Sequence, residues 1–249
     1  MKGLWVLLLL IFISALPVFF AFLWYRRQGI FSSPVWFLAA LGAGAAAVFT
    51  ATLLQRFSLV IGVFFPQGGW PGLFFFNVFI HIAFMEELGR FIVFFLFFRL
   101  NRRLRTRASF AAGRENLENE SPSFGTAAGL VAGLGFAVIE SASYGAADFN
   151  IALLRAFTAA PLHGACGARI GTAAFTLSKQ PGRALFRLLS AVVIHGMYDF
   201  IIINPMLPSA LSVLIAFAAL AASCQEIRRG PPPSSGSSGD RASNNFTPD

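Results

Sequence analysis

Charge is scarce in this 249-residue chain. Only 12% of its residues are charged, about half the ~25% usual in soluble domains. Cysteine is scarcer, with Cys166 and Cys224 both inside apolar stretches. Such a pair makes neither a disulfide framework nor a CxxC metal site. So little charge excludes a soluble globule and a disordered chain. What fills the chain instead is apolar: 56% of residues are hydrophobic and Phe alone occurs 30 times. Apolar runs of roughly 20 residues recur, each long enough to cross a ~30 Å hydrocarbon layer. The composition is that of a polytopic membrane protein.

Hydropathy predicts about seven spans, at 4–25, 34–54, 71–98, 123–145, 152–177, 184–203 and 208–225. Helices are expected, because an open sheet edge cannot be satisfied in lipid. The fold class is therefore an all-α transmembrane bundle. The run Leu4–Tyr25 reads as the first span rather than a signal peptide, since it lacks an Ala-x-Ala site and ends in Arg26-Arg27. Phe57–Pro66 is too short to cross again and is expected at most to dip into the membrane. The net charge of +8 does not point to nucleic acid, because the basic residues fall in short loops. Arg26, Arg27, the run Arg99 to Arg114, Lys179, Arg183, Arg187, Arg228, Arg229 and Arg241 share one side of a seven-span chain. Lys2, Arg56 and Arg155 fall on the other, while Arg90 and Arg169 lie in spans. That asymmetry predicts N-out and C-in. Residues 1–229 form the membrane domain; the loop 101–122 reads as solvated, and the Pro/Ser/Gly-rich tail 230–249 as a disordered cytoplasmic terminus.

Ionisable residues inside spans are expensive, so function is sought there. They are His81, Glu86, Glu87 and Arg90 in the third span, Glu140 in the fourth, His163 and Arg169 in the fifth, and His195 and Asp199 in the sixth. Left alone at mid-membrane, Glu86, Glu87, Arg90, Glu140 and Asp199 would each cost about 3 kcal/mol. The sum, on the order of 15 kcal/mol, rivals the stability of a whole domain. These groups are therefore expected to share one interior polar site. Spacing agrees: Glu86 and Arg90, Phe136 and Glu140, His163 and Gly167, and His195 and Asp199 each stand four apart, on one face of a helix. Gly125, Gly129 and Gly133 on one span, and Gly167 and Gly171 on the next, would let backbones approach closely.

Four carboxylates against one certain cation, Arg90, leave an excess of negative charge for a proton or a metal to meet. A carboxylate beside a neutral imidazole can activate water as a general base, and a second His can hold an oxyanion. Hydrolysis within the membrane is the natural reading. Other protease chemistries fit poorly. HExxH is missing, Gly-x-Gly-Asp stands on no span, Cys166 is a thiol in an apolar helix, and Ser141 has no His near it in sequence.

The segments Glu86-Glu87-Leu88-Gly89-Arg90, Phe136-Ala137-Val138-Ile139-Glu140, His163-Gly164-Ala165-Cys166-Gly167 and His195-Gly196-Met197-Tyr198-Asp199 resemble, in order, the EExxK/R, FxxxEN, HxxxG and HxxxD motifs of the PrsW family. That family belongs to the wider group of CaaX-processing and bacteriocin-immunity-type membrane proteases. The resemblance covers about 70–203. Arg90 stands where the family usually has Lys, and Ser141 where it has Asn.

The resemblance implies an intramembrane endopeptidase that cuts a membrane-tethered protein, such as an anti-sigma factor, near the outer face of a bacterial cytoplasmic membrane. It implies Glu86 or Glu87 as general base, with Arg90 fixing the pair. Glu140 would help hold the water or a metal, His195 and Asp199 would orient the carbonyl and stabilise the oxyanion, and His163 is a further member of the site. The family is described in both glutamic and metalloprotease terms. The glutamic reading requires no cofactor; the other would place zinc on Glu86, Glu140, His163 and His195. His81 matches no motif and is expected to be a hydrogen-bonded structural residue. Two other classes use buried Glu, His and Asp: an ion- or proton-coupled transporter, which would show paired broken helices or an inverted repeat, and a non-catalytic membrane scaffold.

Overall fold

The computed structural model describes residues 2–28, 34–61, 71–111, 122–145 and 149–229. These residues are helical throughout apart from short turns. The elements are α1 (Lys2–Ser14), α2 (Leu16–Gln28), α3 (Pro34–Ile61), α4 (Pro71–Phe76), a π-helical segment (Asn77–Phe84), α5 (Met85–Ala111), α6 (Pro122–Gly145), α7 (Phe149–Phe157), α8 (Ala159–Thr176), α9 (Pro181–Ile203) and α10 (Ala210–Arg229).

Four helices, α3, α6, α9 and α10, are long and apolar enough to cross a membrane, and a fifth crossing results if α1 and α2 count together. The predicted first span bends by 42° between them, just before Pro17, which cannot donate its share of the helical ladder. The predicted third span carries Glu86, Glu87 and Arg90 and changes helix type twice. The fifth is interrupted at Thr158, ahead of Pro161.

Two loop expectations are corrected. Phe57–Ile61 continues α3 rather than dipping as a separate segment, and 62–66 lie outside the described residues. Residues 101–111 are not loop but the end of α5, because hydropathy marks where lipid ends and not where a helix ends. The remainder of that loop to 121, and the tail from Gly230, lie outside the described residues.

α8 is the central post. Its sequence is small and apolar all round, the pattern of a helix buried on every side, and nearly every residue from Ala159 to Ala174 is buried. Around it stand α5, α6, α7, α9 and α10. The α6–α8 contact is the most extensive, and glycine permits it. A Cβ on Gly129 would run into the Gly167 carbonyl, and one on Gly133 into that of His163. The opposite face of α6 meets α3, where a Cβ on Gly44 would collide with the Ala132 carbonyl.

A few polar contacts fasten the helices. Tyr25 Oη donates to the Ala127 carbonyl at 3.2 Å, and Thr126 and Thr172 bond at 2.8 Å between α6 and α8. Arg169 turns away from the polar interior to Ser223 Oγ of α10 at 3.0 Å. The outer surface is apolar: Trp5, Phe12, Leu38, Phe49, Phe186 and Leu214 are exposed, as lipid-facing side chains are.

Candidate active site

The π segment delivers the first motif. A π turn closes its hydrogen bonds to the fifth residue rather than the fourth and occurs frequently at functional sites. Here it ends two residues before Glu86, so His81 does not project from the face that α-helical counting assigns to it. His81 Nδ1 bonds to Ser58 Oγ of α3 instead, the structural role expected of it.

Arg90 organises the interior. It is buried completely, with Nη1 donating to Glu87 Oε1 at 2.6 Å and Nη2 to Glu86 Oε2 at 3.2 Å. Nη2 also donates to His163 Nδ1 at 2.7 Å, and the guanidinium lies over the Phe136 ring, 3.9 Å from its centroid. Arginine only donates hydrogen bonds, so Nδ1 of His163 must accept. Its proton is then on Nε2, which donates to Glu140 Oε2 at 2.6 Å. One contact to Arg90 thus fixes the tautomer of a ring on another helix.

His195 is held in the opposite sense. Its Nδ1 meets Glu87 Oε1 at 2.7 Å, while Nε2 faces Asp199 Oδ2 at 3.3 Å and Glu86 Oε2 at 3.8 Å. Glu87 is therefore the anchor of the motif, fully buried beneath Arg90 and His195, and Glu86 is the member whose side chain retains some exposure. The two imidazoles stand 5.2 Å apart, edge to face.

The structure brings Glu86, Glu87, Arg90, His163, His195 and Asp199 together, with Glu140 joined through His163. Ligand atoms of Glu86, His163 and His195 lie within 4.8 Å of one another. Two imidazoles and a carboxylate are a donor set of catalytic zinc, so the residues fit that metal. His195 meets the usual further requirement, since its other nitrogen is already oriented by a carboxylate. His163 would have to exchange Arg90 or Glu140 for the ion. Glu140 is not one of this trio; it accepts from His163 Nε2 and faces Arg155, whose Nη2 is 2.5 Å from Glu140 Oε2.

Three members escape the sequence reading. Arg155, assigned by charge counting to the outer side, pairs with Glu140 from α7. Its signal was present, an arginine inside the apolar run 152–177. Gln55 donates to Glu86 Oε1 at 3.2 Å; a span boundary drawn at 54 hid it. Phe136 has a spacing and a place in a motif in the sequence but no role there, and is the surface on which Arg90 rests. Cys166 donates to the Ala191 carbonyl at 3.6 Å, and Ser141 is buried.

A model of the PrsW family of intramembrane metalloproteases matches residues 32–223, most of the chain and all four motifs. The chain belongs to the PrsW family. It is accordingly a multi-pass membrane protein of an intramembrane protease family, whose substrates are themselves membrane proteins. No curated protein and no solved structure matches the chain. The PrsW motifs thus coincide with the groups that the fold gathers: the Glu86–Arg90 segment supplies the scaffold, and His163 and His195 come from the two helices beside it.

Proposed function

We propose that the protein is an intramembrane endopeptidase of the glutamic type, in which Glu86 activates the hydrolytic water. The observation that carries this is the convergence of Glu86, His163 and His195 over a fully buried Glu87–Arg90 pair. Glu86 accepts a proton as the water oxygen bonds to the scissile carbonyl carbon. It then returns that proton to the leaving nitrogen as the C–N bond breaks. A positioned acid–base group of this kind contributes about 10²–10⁴-fold.

Carboxylates stand at both nitrogens of His195, so both can donate, and Nε2–H is placed to turn from Asp199 to the developing oxyanion. Glu87 and Arg90 keep that ring and Glu86 in place. Glu140, held by Arg155, does the same for His163. The substrate is a membrane-tethered protein, anti-sigma-factor-like by family resemblance. It is cut towards the outer face of a bacterial cytoplasmic membrane, by a chain crossing seven times with its N-terminus outside.

A second reading is favoured by the donor set itself. Glu86, His163 and His195 would hold a zinc ion, which when bound would polarise the carbonyl and its water. Metal content of the purified protein by mass spectrometry separates the two readings. Stoichiometric zinc that is lost in His195→Ala supports the metal; full cleavage by a metal-free preparation supports Glu86 as base.

New protein N-termini compared between membranes carrying wild type and Glu86→Gln test the proposal. Fragments made only by wild type, cut within or beside a spanning segment, are expected. Identical fragment sets, with a folded variant and a substrate expressed, would bring transport or scaffolding forward.

A further inference from the structure

Beyond the polar interior, α5 carries three exposed arginines, Arg99, Arg102 and Arg103. With Phe95, Phe98 and Phe175 they line a cavity of about 600 Å³ between α5 and α8. Arg99 and Arg103 also line a second cavity, of about 710 Å³, between α3 and α5. Its other walls are apolar and include Ala39, Gly42, Ala46 and Leu96.

The second cavity follows from how the two helices diverge. Near the polar interior they touch, and a Cβ on Gly89 would stand 2.8 Å from the Ala51 nitrogen. At Gly42 a Cβ would meet nothing within 4 Å. The result is a wedge of small and apolar side chains that opens towards the arginines.

Depth argues for the ligand. Arg99 to Arg103 lie nine to thirteen residues beyond Arg90, roughly 14–20 Å along a helix rising 1.5 Å per residue. With the buried cluster at the bilayer centre, that is the edge of a hydrocarbon core about 30 Å thick. Among the described residues, no carboxylate pairs with Arg99 or Arg103. Guanidinium forks match phosphate oxygens two at a time. Basic pockets of this kind between membrane helices bind anionic headgroups.

We propose that this end of the molecule is a binding site for an anionic phospholipid. Its phosphate lies on Arg99, Arg102 and Arg103, and an acyl chain lies in the α3–α5 wedge. Both halves are needed: a zwitterionic lipid lacks the net charge, and a free phosphate lacks the chain.

The test uses the full chain, purified in uncharged detergent, with lipid retention read by native mass spectrometry. The probes are dioleoyl phosphatidylglycerol, dioleoyl phosphatidylcholine and inorganic phosphate. Wild type is expected to retain phosphatidylglycerol in preference to phosphatidylcholine, and millimolar phosphate is not expected to displace it. The combined variant Arg99→Gln, Arg102→Gln, Arg103→Gln should bind phosphatidylglycerol about a hundredfold more weakly. Gly42→Leu fills the wedge at a position with open space, leaves the arginines intact, and should weaken it as well. Far-UV circular dichroism establishes that both variants are folded. Equal retention of the two lipids by wild type, or of phosphatidylglycerol by wild type and the arginine variant, overturns the proposal. Loss in the arginine variant alone, with displacement by phosphate, also overturns it and makes the site one for a soluble anion.

Discussion

The two ends of α5 treat the same side chain in opposite ways. At one end Arg90 is wholly buried, donates to Glu86, Glu87 and His163, and rests on the Phe136 ring. At the other, Arg99 and Arg103 are exposed on the same helix and pair with no described carboxylate. A guanidinium in the hydrocarbon is tolerated only if its charge is met by neighbours. At the headgroup boundary, water and phosphate meet it. The comparison teaches that an arginine's role here is set by its depth. The buried one is met by two carboxylates, an imidazole and a ring, and the outer ones are exposed.

Breaking the inner end should have the largest effect. Arg90→Met leaves Glu86 and Glu87 buried without their cation, and losing one partner of a buried pair costs about 3–5 kcal/mol. Thermal unfolding in detergent should fall accordingly and cleavage should vanish. Arg90→Lys sharpens the point: it keeps the charge but cannot fork to Glu87 and His163 at once. It should recover most of the stability and part of the activity.

Gly129→Leu attacks the same site through the backbone, by forcing α6 from α8 against the Gly167 carbonyl. Overpacking costs about 1–3 kcal/mol, and activity should drop further because His163 moves with α8. The outer surface should respond least. Arg187 and Glu226 bond at 2.6 and 2.7 Å, but both are about a third exposed. Arg187→Gln should lower stability by under about 1 kcal/mol and leave cleavage unchanged. A large loss there would mean that exposure does not decide what an arginine contributes in this fold.

The legible part of the site was the part that lipid makes costly. Glu86, Glu87, Arg90, Glu140, His163, His195 and Asp199 stand out because the apolar runs around them have no other use for charge. The i, i+4 spacing then puts the members of each pair on one face. The helical class followed from the same solvent argument. What escaped has physical reasons as well. The π segment Asn77–Phe84 is as apolar as its neighbours, and no composition marks a change of hydrogen-bond register. Gln55 and Arg155 lie near span ends, where hydropathy places boundaries only to within a few residues. The break at Thr158 separates α7 from α8, so Arg155 approaches Glu140 from a helix that the prediction did not contain. The last turns of α5 were missed because a basic sequence leaves lipid without leaving the helix.

The two walls of the polar interior differ in what they are made of. On one side α6 lies on α8, main chain against main chain at Gly129, Gly133, Gly167 and Gly171. On the other, the Phe79 ring lies against Gly196 and packs with Phe75 and Phe200, at centroid distances of 4.2 and 6.4 Å. Rings turn about two bonds, whereas a helix pair in backbone contact moves only as a whole. The polar interior therefore has one wall that moves only as a unit, α6 on α8, and one of phenylalanine rings, which can turn singly.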